Sequence, residues 1–251
     1  MPARTVDPML ERMTSTAAPE APPLGIGYYT VPEAARLVRM PGINIRRWLG
    51  GYTFTSGNKS SGSKSRRMPP LWLPELATGD AHLELGFRDL IELRFVNAFA
   101  EEGVDLRIIR SCLEHAREAV RDPRPFSTRR FRTDGRTIFL DTLKATGESE
   151  LLDLKRGQFV IRSVIERTFK DLDLDNEVVA RWRPFRGKDT IVIDPQRAFG
   201  QPIAAAYGVP TVVLAEAVTS EGSVDRVSRL YEVPSAIVRD AVRFEASLQV
   251  A

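Results

Sequence analysis

The segment YTVPEAARLVRMPGINIRRWLGG, residues 29–51, decides the fold of the first part of the chain. Thr30 and Glu33 have the spacing of a capping box, which marks the start of a helix. Apolar side chains recur at helical spacing on both sides of a Met-Pro-Gly break, and Ile45 and Trp48 take the buried side of the second helix. The segment therefore predicts two short helices joined by a turn.

Polar side chains occupy the exposed side of that second helix, and a basic stretch, KSSGSKSRR, follows at residues 59–67. Asparagine suits an adenine edge, arginine suits guanine or phosphate, and flexible basic loops contact phosphates. Short extended segments at Tyr52–Phe54 and Leu71–Leu73 would flank the stretch as a wing. An ordinary helical hairpin beside a flexible linker is the alternative. The candidate DNA-binding residues are Asn44, Arg46, Arg47, Lys59, Lys64, Arg66 and Arg67.

Composition adds general limits. The chain has 251 residues, a net charge of +3 and one cysteine, Cys112, so an internal disulfide is excluded. No apolar run approaches the roughly 18 residues that span a bilayer, and no signal-peptide core is present at the N-terminus. A cytoplasmic protein without membrane association is expected.

The middle of the chain is expected to be rich in β-structure. Asp134-Gly135 lies between two extended candidates, which is typical of a hairpin. Residues 151–154 and 159–165 suggest a second hairpin, and Glu177–Phe185 suggests a further strand. Two firm helices precede this region, one from Phe87 to Phe99 and one capped by Asp105.

The C-terminal region predicts a second pair of helices. Ser223 and Ser235 are each placed to cap a short amphipathic helix. Exposed arginines on this pair could contact DNA, a protein partner or a dimer mate, and the sequence leaves these open. The candidates are Arg226, Arg239 and Arg243.

Catalytic and metal sites are not expected. The acidic run at residues 171–177 lacks the glycine and the terminal glutamate of a calcium loop. Cys112, His82 and His115 do not make a zinc site, and no nucleophile–base pair stands out. The expectation is a protein that is not an enzyme and carries no cofactor or metal.

Two parts of the sequence resemble known families. YTVPEAARL at residues 29–37, IRRW at 45–48 and the segments FRDL at 87–90 and GVDLRIIR at 103–110 resemble the winged helix-turn-helix of MerR-like DNA-binding domains. The departures are Pro41, where Ser or Thr is usual, and a long wing. Residues 189–245 resemble the domain of unknown function at the C-terminus of VapB-like antitoxins, on IDP at 193–195, FGQPI at 199–203, GVP at 208–210, GSV at 222–224 and DAVRF at 240–244.

The resemblance implies an α+β protein with a MerR-like winged helix-turn-helix, a central small β segment and a C-terminal helix-turn-helix-like domain. The implied units are a disordered leader at 1–27, a DNA-binding domain at 28–122, a β-rich segment at 123–188 and an antitoxin-associated helical domain at 189–251.

The implied function is a DNA-binding antitoxin of a type II toxin–antitoxin system. Such a protein neutralises a VapC-like, PIN-fold ribonuclease toxin and represses its operon as a homodimer on palindromic operator DNA. The segment after Phe244 and the central arginines are both eligible to contact the toxin. Those arginines are Arg129, Arg130, Arg132 and Arg136.

Other readings stay open on the sequence alone. A MerR-like regulator could sense a small molecule through its middle or C-terminal region, and a deep apolar pocket there would favour it. An enzyme that modifies or cleaves RNA is a third reading.

Overall fold

The computed structural model describes residues 25–56, 64–76, 83–146 and 154–249. Residues 1–24 of the predicted leader, Lys59, His82 and the first arm of the second predicted hairpin up to residue 153 lie outside the described residues. The end of the predicted leader is described. The backbone N–H of Phe87 donates to the carbonyl of Ile26 at 2.8 Å, so Ile26 belongs to the folded part of the chain.

The described residues form an α+β fold. The helices are α1 (Val31–Val38), α2 (Gly42–Gly50), α3 (Phe87–Glu101), α4 (Leu106–Val120), α5 (Arg129–Thr146), α6 (Leu154–Phe169), α7 (Thr211–Glu221), α8 (Val224–Tyr231) and α9 (Ser235–Leu248). The strands are β1 (Tyr29–Thr30), β2 (Tyr52–Ser56), β3 (Lys64–Met68), β4 (Glu84–Leu85), β5 (Leu172–Asp175), β6 (Val178–Trp182), β7 (Ile191–Ile193) and β8 (Pro202–Ala204). Strand β1 pairs with β4, β2 with β3, and the other four form an antiparallel sheet in chain order. The expected α+β class is confirmed.

Helices α1 and α2 begin and end where the sequence predicted. The backbone N–H of Thr30 donates to Oε2 of Glu33 at 2.8 Å, and the N–H of Glu33 donates to Oγ1 of Thr30 at 3.5 Å. Arg39 ends α1 in a left-handed conformation, φ 59°. Ile45 and Trp48 are buried on α2. Both predicted helices are confirmed.

The hairpin that follows α2 differs from the prediction in its second strand. Strand β2 pairs with Lys64–Met68, whereas Leu71–Leu73 was expected to be the partner. Two prolines at 69 and 70 lack the N–H that a ladder requires, so the strand ends before them. Leu71 and Trp72 enter the core instead. The basic residues after residue 63 therefore lie in a strand rather than in a loop.

The first predicted central hairpin is wrong, because its residues form helix α5. Buried Phe131, Ile138 and Phe139 recur at helical spacing, and this period outweighs the Asp-Gly turn signal. Gly135 lies inside the helix, where an added Cβ would meet Ile165 at 3.1 Å. The glycine serves the close approach of two helices and not a turn.

The second predicted hairpin is also wrong where it is described. Residues 154–169 form α6, whose buried Ile161, Val164, Ile165 and Phe169 follow a helical period. The predicted strand within Glu177–Phe185 is confirmed as β6, with β5 at the sheet edge beside it. The central segment is therefore mainly helical, and its β-structure is confined to the end.

Most of the described chain packs around one core. Buried apolar side chains from Tyr29 to Ile193 form a single cluster, which Phe244 and Leu248 of α9 join. The boundary predicted after residue 122 falls inside this cluster, and the one after residue 188 falls between strands β6 and β7 of one sheet. Close ring pairs link the fully buried phenylalanines Phe95, Phe99, Phe126, Phe131 and Phe139.

Helices α7, α8 and α9 form a three-helix unit with a small core of its own. Ser223 caps α8 as predicted, since its side chain accepts from the N–H of Arg226. The capping role predicted for Ser235 is wrong: Pro234 is the cap residue, and the Ser235 hydroxyl donates to Asp225 at 2.9 Å. Within the described ranges, no helix combines the length and the apolar character needed to cross a bilayer.

Candidate nucleic-acid interface

Helix α2 carries the polar side chains that the sequence singled out. Its apolar side is packed into the core, which leaves Arg46 and Arg47 exposed and Asn44 half-buried. Ile43, in the first turn, has 61% of its surface exposed. The guanidinium of Arg47 lies over the ring of Tyr52, 4.4 Å from the centroid. This stacking holds one arginine at the junction of α2 and β2.

Strand β3 carries three of the predicted cations, in the hairpin that follows α2 along the chain. The register pairs Ser56 with Lys64, Phe54 with Arg66 and Thr53 with Arg67. The Arg67 side chain is exposed. A two-stranded ribbon that leaves the end of α2 has the connectivity of a wing, and the binding of DNA by these residues stays a prediction.

Helix α4 supports the base of this hairpin. Arg110 donates from Nη1 to the carbonyl of Pro70 at 3.0 Å and from Nη2 to that of Pro69 at 2.9 Å. Arg117 donates to the carbonyl of Leu71. These carbonyl groups lie after the end of β3, where the two prolines have ended the hydrogen-bond ladder between β2 and β3. Neither arginine was predicted to have a role, although their spacing of seven places them on one helix face.

The central arginines lie on α5 and not around a hairpin. Nε of Arg129 donates to the carbonyl of Asn176 at 2.6 Å, and Arg130 lies 3.8 Å from Asp134. Arg136 donates to Gln158 at 3.1 Å. Arg132 is exposed, with its guanidinium 6.0 Å from the ring centroid of Phe169. Contact with a toxin or DNA at these residues stays a prediction.

The C-terminal arginines are separated by the turn between α8 and α9. Arg226 forms an ion pair with Glu221 at 3.1 Å. Arg239 and Arg243 are exposed on α9, one turn apart, and no described carboxylate pairs with either. A partner for these residues stays a prediction.

Cys112, His115 and Asp171, whose side chains could bind a metal or react, are buried in the fold or hydrogen-bonded to other residues of the chain. Burial raises the pKa of the Cys112 thiol strongly, which disfavours the thiolate. Nδ1 of His115 lies 3.0 Å from the hydroxyl of Thr142. Asp171, in the acidic run, accepts from Arg94 and from Nε1 of Trp182. In the part of the chain that the structure describes, no His, Cys, Asp and Glu cluster could hold a metal ion.

Comparison with known proteins shows similarity to a curated protein and to a solved structure, both of Mycobacterium tuberculosis. The chain is 26% identical over 224 residues to a protein named "Putative antitoxin VapB45", a match that covers 85% of this chain and 92% of that protein. The X-ray crystal structure of Rv2018 has a TM-score of 0.63 and is 21% identical, covering 85% of this chain and 96% of that chain. At that identity the structural likeness concerns the fold alone. No family model matches the sequence.

Proposed function

We propose that this protein is the antitoxin of a type II toxin–antitoxin pair and represses its own operon. The observation that carries the proposal is the similarity to a protein named as a VapB antitoxin, since the match covers 92% of that protein and not one module alone. The role is regulatory and not catalytic, it is exercised in the cytoplasm, and it needs neither cofactor nor membrane.

DNA binding is assigned to α1, α2 and the β2–β3 hairpin. Helix α2 offers exposed Arg46 and Arg47 and half-buried Asn44, while its buried face fixes the rotation of the helix. A helix of this kind enters the major groove, and the hairpin contacts the adjacent backbone. A homodimer would place two such helices on a palindromic operator, with half-sites one helical turn or a multiple apart.

The toxin partner is proposed to be a PIN-like ribonuclease of the VapC class. The active site of such a nuclease is a carboxylate cluster that holds Mg²⁺, and arginine forms strong bidentate hydrogen bonds with carboxylates. Arg129, Arg130, Arg132 and Arg136 on α5 and the segment after Phe244 are the candidate contacts. Arg132 is the first to examine, because Arg129, Arg130 and Arg136 already have partners within the chain.

A small-molecule sensor is less well supported. A cavity of about 620 Å³ lies beside strands β5 and β6, but charged side chains occupy much of its wall, among them Glu75, Arg88, Asp173 and Asp194. Ligand pockets of sensors are mainly apolar, with a few polar groups. This cavity does not have that character.

Co-expression with the neighbouring gene tests the antitoxin role. The neighbour's product, induced alone, should arrest growth, and co-expression of this protein should restore growth and yield a co-purified complex. An Arg132→Gln variant should restore growth less well, whereas Arg162→Gln, an exposed arginine on α6, should act like wild type. A neighbour that is harmless alone and never co-purifies would contradict the proposal.

The DNA-binding role has a separate test. Arg46→Gln/Arg47→Gln should abolish the preference for the DNA upstream of the protein's own gene. Neutralising Lys59, Lys64, Arg66 and Arg67 should lower the slope of log affinity against log salt by up to about 4, because each phosphate contact contributes roughly 0.9. Fluorescence anisotropy at several salt concentrations measures both. Unchanged binding by both variants would disprove the role.

A further inference from the structure

A groove on the described surface collects basic side chains from four separate parts of the chain. Its volume is about 1020 Å³. It runs along the end of α1, the end of α6, the connection from β6 to β7, and the last turns of α9. The cations that line it are Arg39, Arg167, Lys170, Arg183, Arg186 and Arg243, and the one acidic residue in its wall is Asp171.

Ion pairing neutralises only part of this charge. Arg167 pairs with Glu102 at 3.2 Å, and Arg183 pairs with Asp173 at 3.0 Å. Asp171 is committed to Arg94, which donates to both of its carboxylate oxygens at 3.0 and 3.1 Å. The acidic residue in the wall therefore does not offset the remaining cations of the groove.

Four cations are left without a carboxylate partner among the described residues: Arg39, Lys170, Arg186 and Arg243. All four side chains are exposed. Hydrogen-bond donors are also in excess, because Nε of Arg183 is buried and has no acceptor in the described structure. The groove therefore exposes positive charge that no described carboxylate neutralises, which favours the binding of an anion.

We propose that this groove binds the phosphate backbone of double-stranded DNA, as a second contact region beside α2 and the β2–β3 hairpin; this rests on the proposed DNA-binding function. Arg39 is the residue at which α1 ends before the turn into α2, so the groove starts at the helix-turn-helix itself. A duplex that takes α2 into its major groove has a row of phosphates on each side of that helix. Cations spread along an open groove match a row of phosphates better than a single anion.

A protein partner fits this surface less well. Interfaces between proteins are centred on buried apolar and aromatic anchors with charges at the rim. In the groove the exposed residues other than Ala246 are cationic, and its aromatic residue, Phe185, is buried, with 7% of its surface exposed. Backbone contacts of this kind position DNA and do not read its sequence.

The test is a comparison of two triple variants that lose the same charge. Lys170→Gln/Arg186→Gln/Arg243→Gln removes cations of the groove. Arg121→Gln/Lys144→Gln/Arg162→Gln removes exposed cations outside it. The probes are a fluorescein-labelled duplex of the DNA upstream of the protein's own gene and a random-sequence duplex of equal length, each titrated at several salt concentrations. Far-UV circular dichroism and thermal unfolding verify that both variants are folded, and Lys170→Gln alone serves as a milder version.

The groove variant should bind both duplexes more weakly by a similar factor, and its salt slope should fall by about 2 to 3, at roughly 0.9 per phosphate contact. Lys170→Gln should lower the slope by about 1. If wild type binds and the groove variant matches the control on both duplexes, the groove is not a DNA contact, and the DNA-binding role of α2 stands. A groove variant that keeps DNA binding but loses the neighbouring gene's product would identify a protein interface and overturn the inference. Binding of neither duplex by wild type would overturn both proposals.

Discussion

Asp89 is wholly buried, yet its carboxylate has four hydrogen-bond donors within 2.9 Å. The backbone N–H groups of Glu75 and Gly86 donate to one oxygen. Nε1 of Trp72 and Nε of Arg124 donate to the other. Because Arg124 is itself buried, each of the two charges depends on the other. This residue therefore fixes the start of α3 and the entry to α5 together.

Replacing Asp89 should be costly. Asp89→Asn leaves the guanidinium of Arg124 buried without the carboxylate to which it donates, and we expect a loss of about 3–5 kcal/mol in the free energy of unfolding. Urea denaturation measures it. The matched control is Asp105→Asn at the exposed N-cap of α4, which should cost under about 0.5 kcal/mol because Asn caps as well as Asp. Equal losses for the two variants would contradict the assignment.

Glu92 is a second buried carboxyl group, one helical turn beyond Asp89 on α3. It accepts hydrogen bonds from the backbone N–H groups of Phe126 and Ser127. Burial nevertheless raises the pKa of this carboxyl to about 8, because those bonds compensate only in part for the lost water. The folded state consequently holds a proton that the unfolded state releases near pH 4 to 5.

This pKa makes stability depend on pH in a known direction. Between about pH 5 and 8 the folded state binds more protons at Glu92 than the unfolded state, so stability falls as pH rises. Glu92→Gln should remove this dependence, by up to about 1.4 kcal/mol per pH unit. Urea denaturation of both proteins from pH 5 to 9 measures the difference. Parallel pH profiles would contradict the raised pKa.

At the scale of elements, the helices predicted correctly are those whose ends and buried faces depend on residues close together in the sequence. The Thr30–Glu33 capping box and the buried Ile45–Trp48 face are satisfied within a few residues, so helices α1 and α2 were correctly predicted. The Asp134-Gly135 signal failed because Gly135 lies in a helix, where the ring of Phe131 on α5 and Ile165 on α6 leave little space for a side chain. Packing within and between the helices outweighed the local preference of Asp-Gly for a turn.

Gly135 should tolerate no larger side chain. Gly135→Leu would place atoms where Phe131 and Ile165 already lie at 3.0 and 3.1 Å from an added Cβ, and we expect a loss of about 1–3 kcal/mol. Gly50→Leu is the same change at a helical glycine with open space around it, and it should be neutral or slightly stabilising. Thermal unfolding followed by circular dichroism compares them. A neutral Gly135→Leu would contradict the helix–helix contact.

Of the candidate site, the sequence singled out the part that one helix carries. Asn44, Arg46 and Arg47 follow one another on α2, and their binding of DNA stays a prediction. The basic groove was not found, because Arg39, Lys170, Arg186 and Arg243 come together only through tertiary packing. The sequence singled out Arg243 as a member of the C-terminal helix pair, and it gave no reason to place Arg39, Lys170 or Arg186 beside it.

At the scale of the whole molecule, helix α9 joins the three-helix unit to the rest of the chain. Phe244 and Leu248 belong to the main core, and Arg36 of α1 pairs with Glu245 at 3.3 Å. Lys188 also reaches Asp240 of α9 at 3.3 Å. We therefore expect the described chain to unfold as one cooperative unit.

Phe244→Ala tests this cooperativity. The three tryptophans of the chain, Trp48, Trp72 and Trp182, all lie before α7, so their fluorescence reports on the main core. Removing the Phe244 ring should cost about 3–5 kcal/mol and shift the fluorescence midpoint together with that of circular dichroism. Phe159→Ala, at a phenylalanine with 74% of its surface exposed, should leave both unchanged. A fluorescence midpoint that does not respond to Phe244→Ala would show separate unfolding units.

The part played by α9 in the core has a consequence for how the protein is made. During synthesis the residues of α1 and α2 leave the ribosome long before those of α9, yet the cluster they belong to lacks Phe244 and Leu248 until then. The nascent chain must hold a partly open apolar surface while α7 and α8 are translated. We therefore expect the main core to be complete only after α9 has emerged from the ribosome.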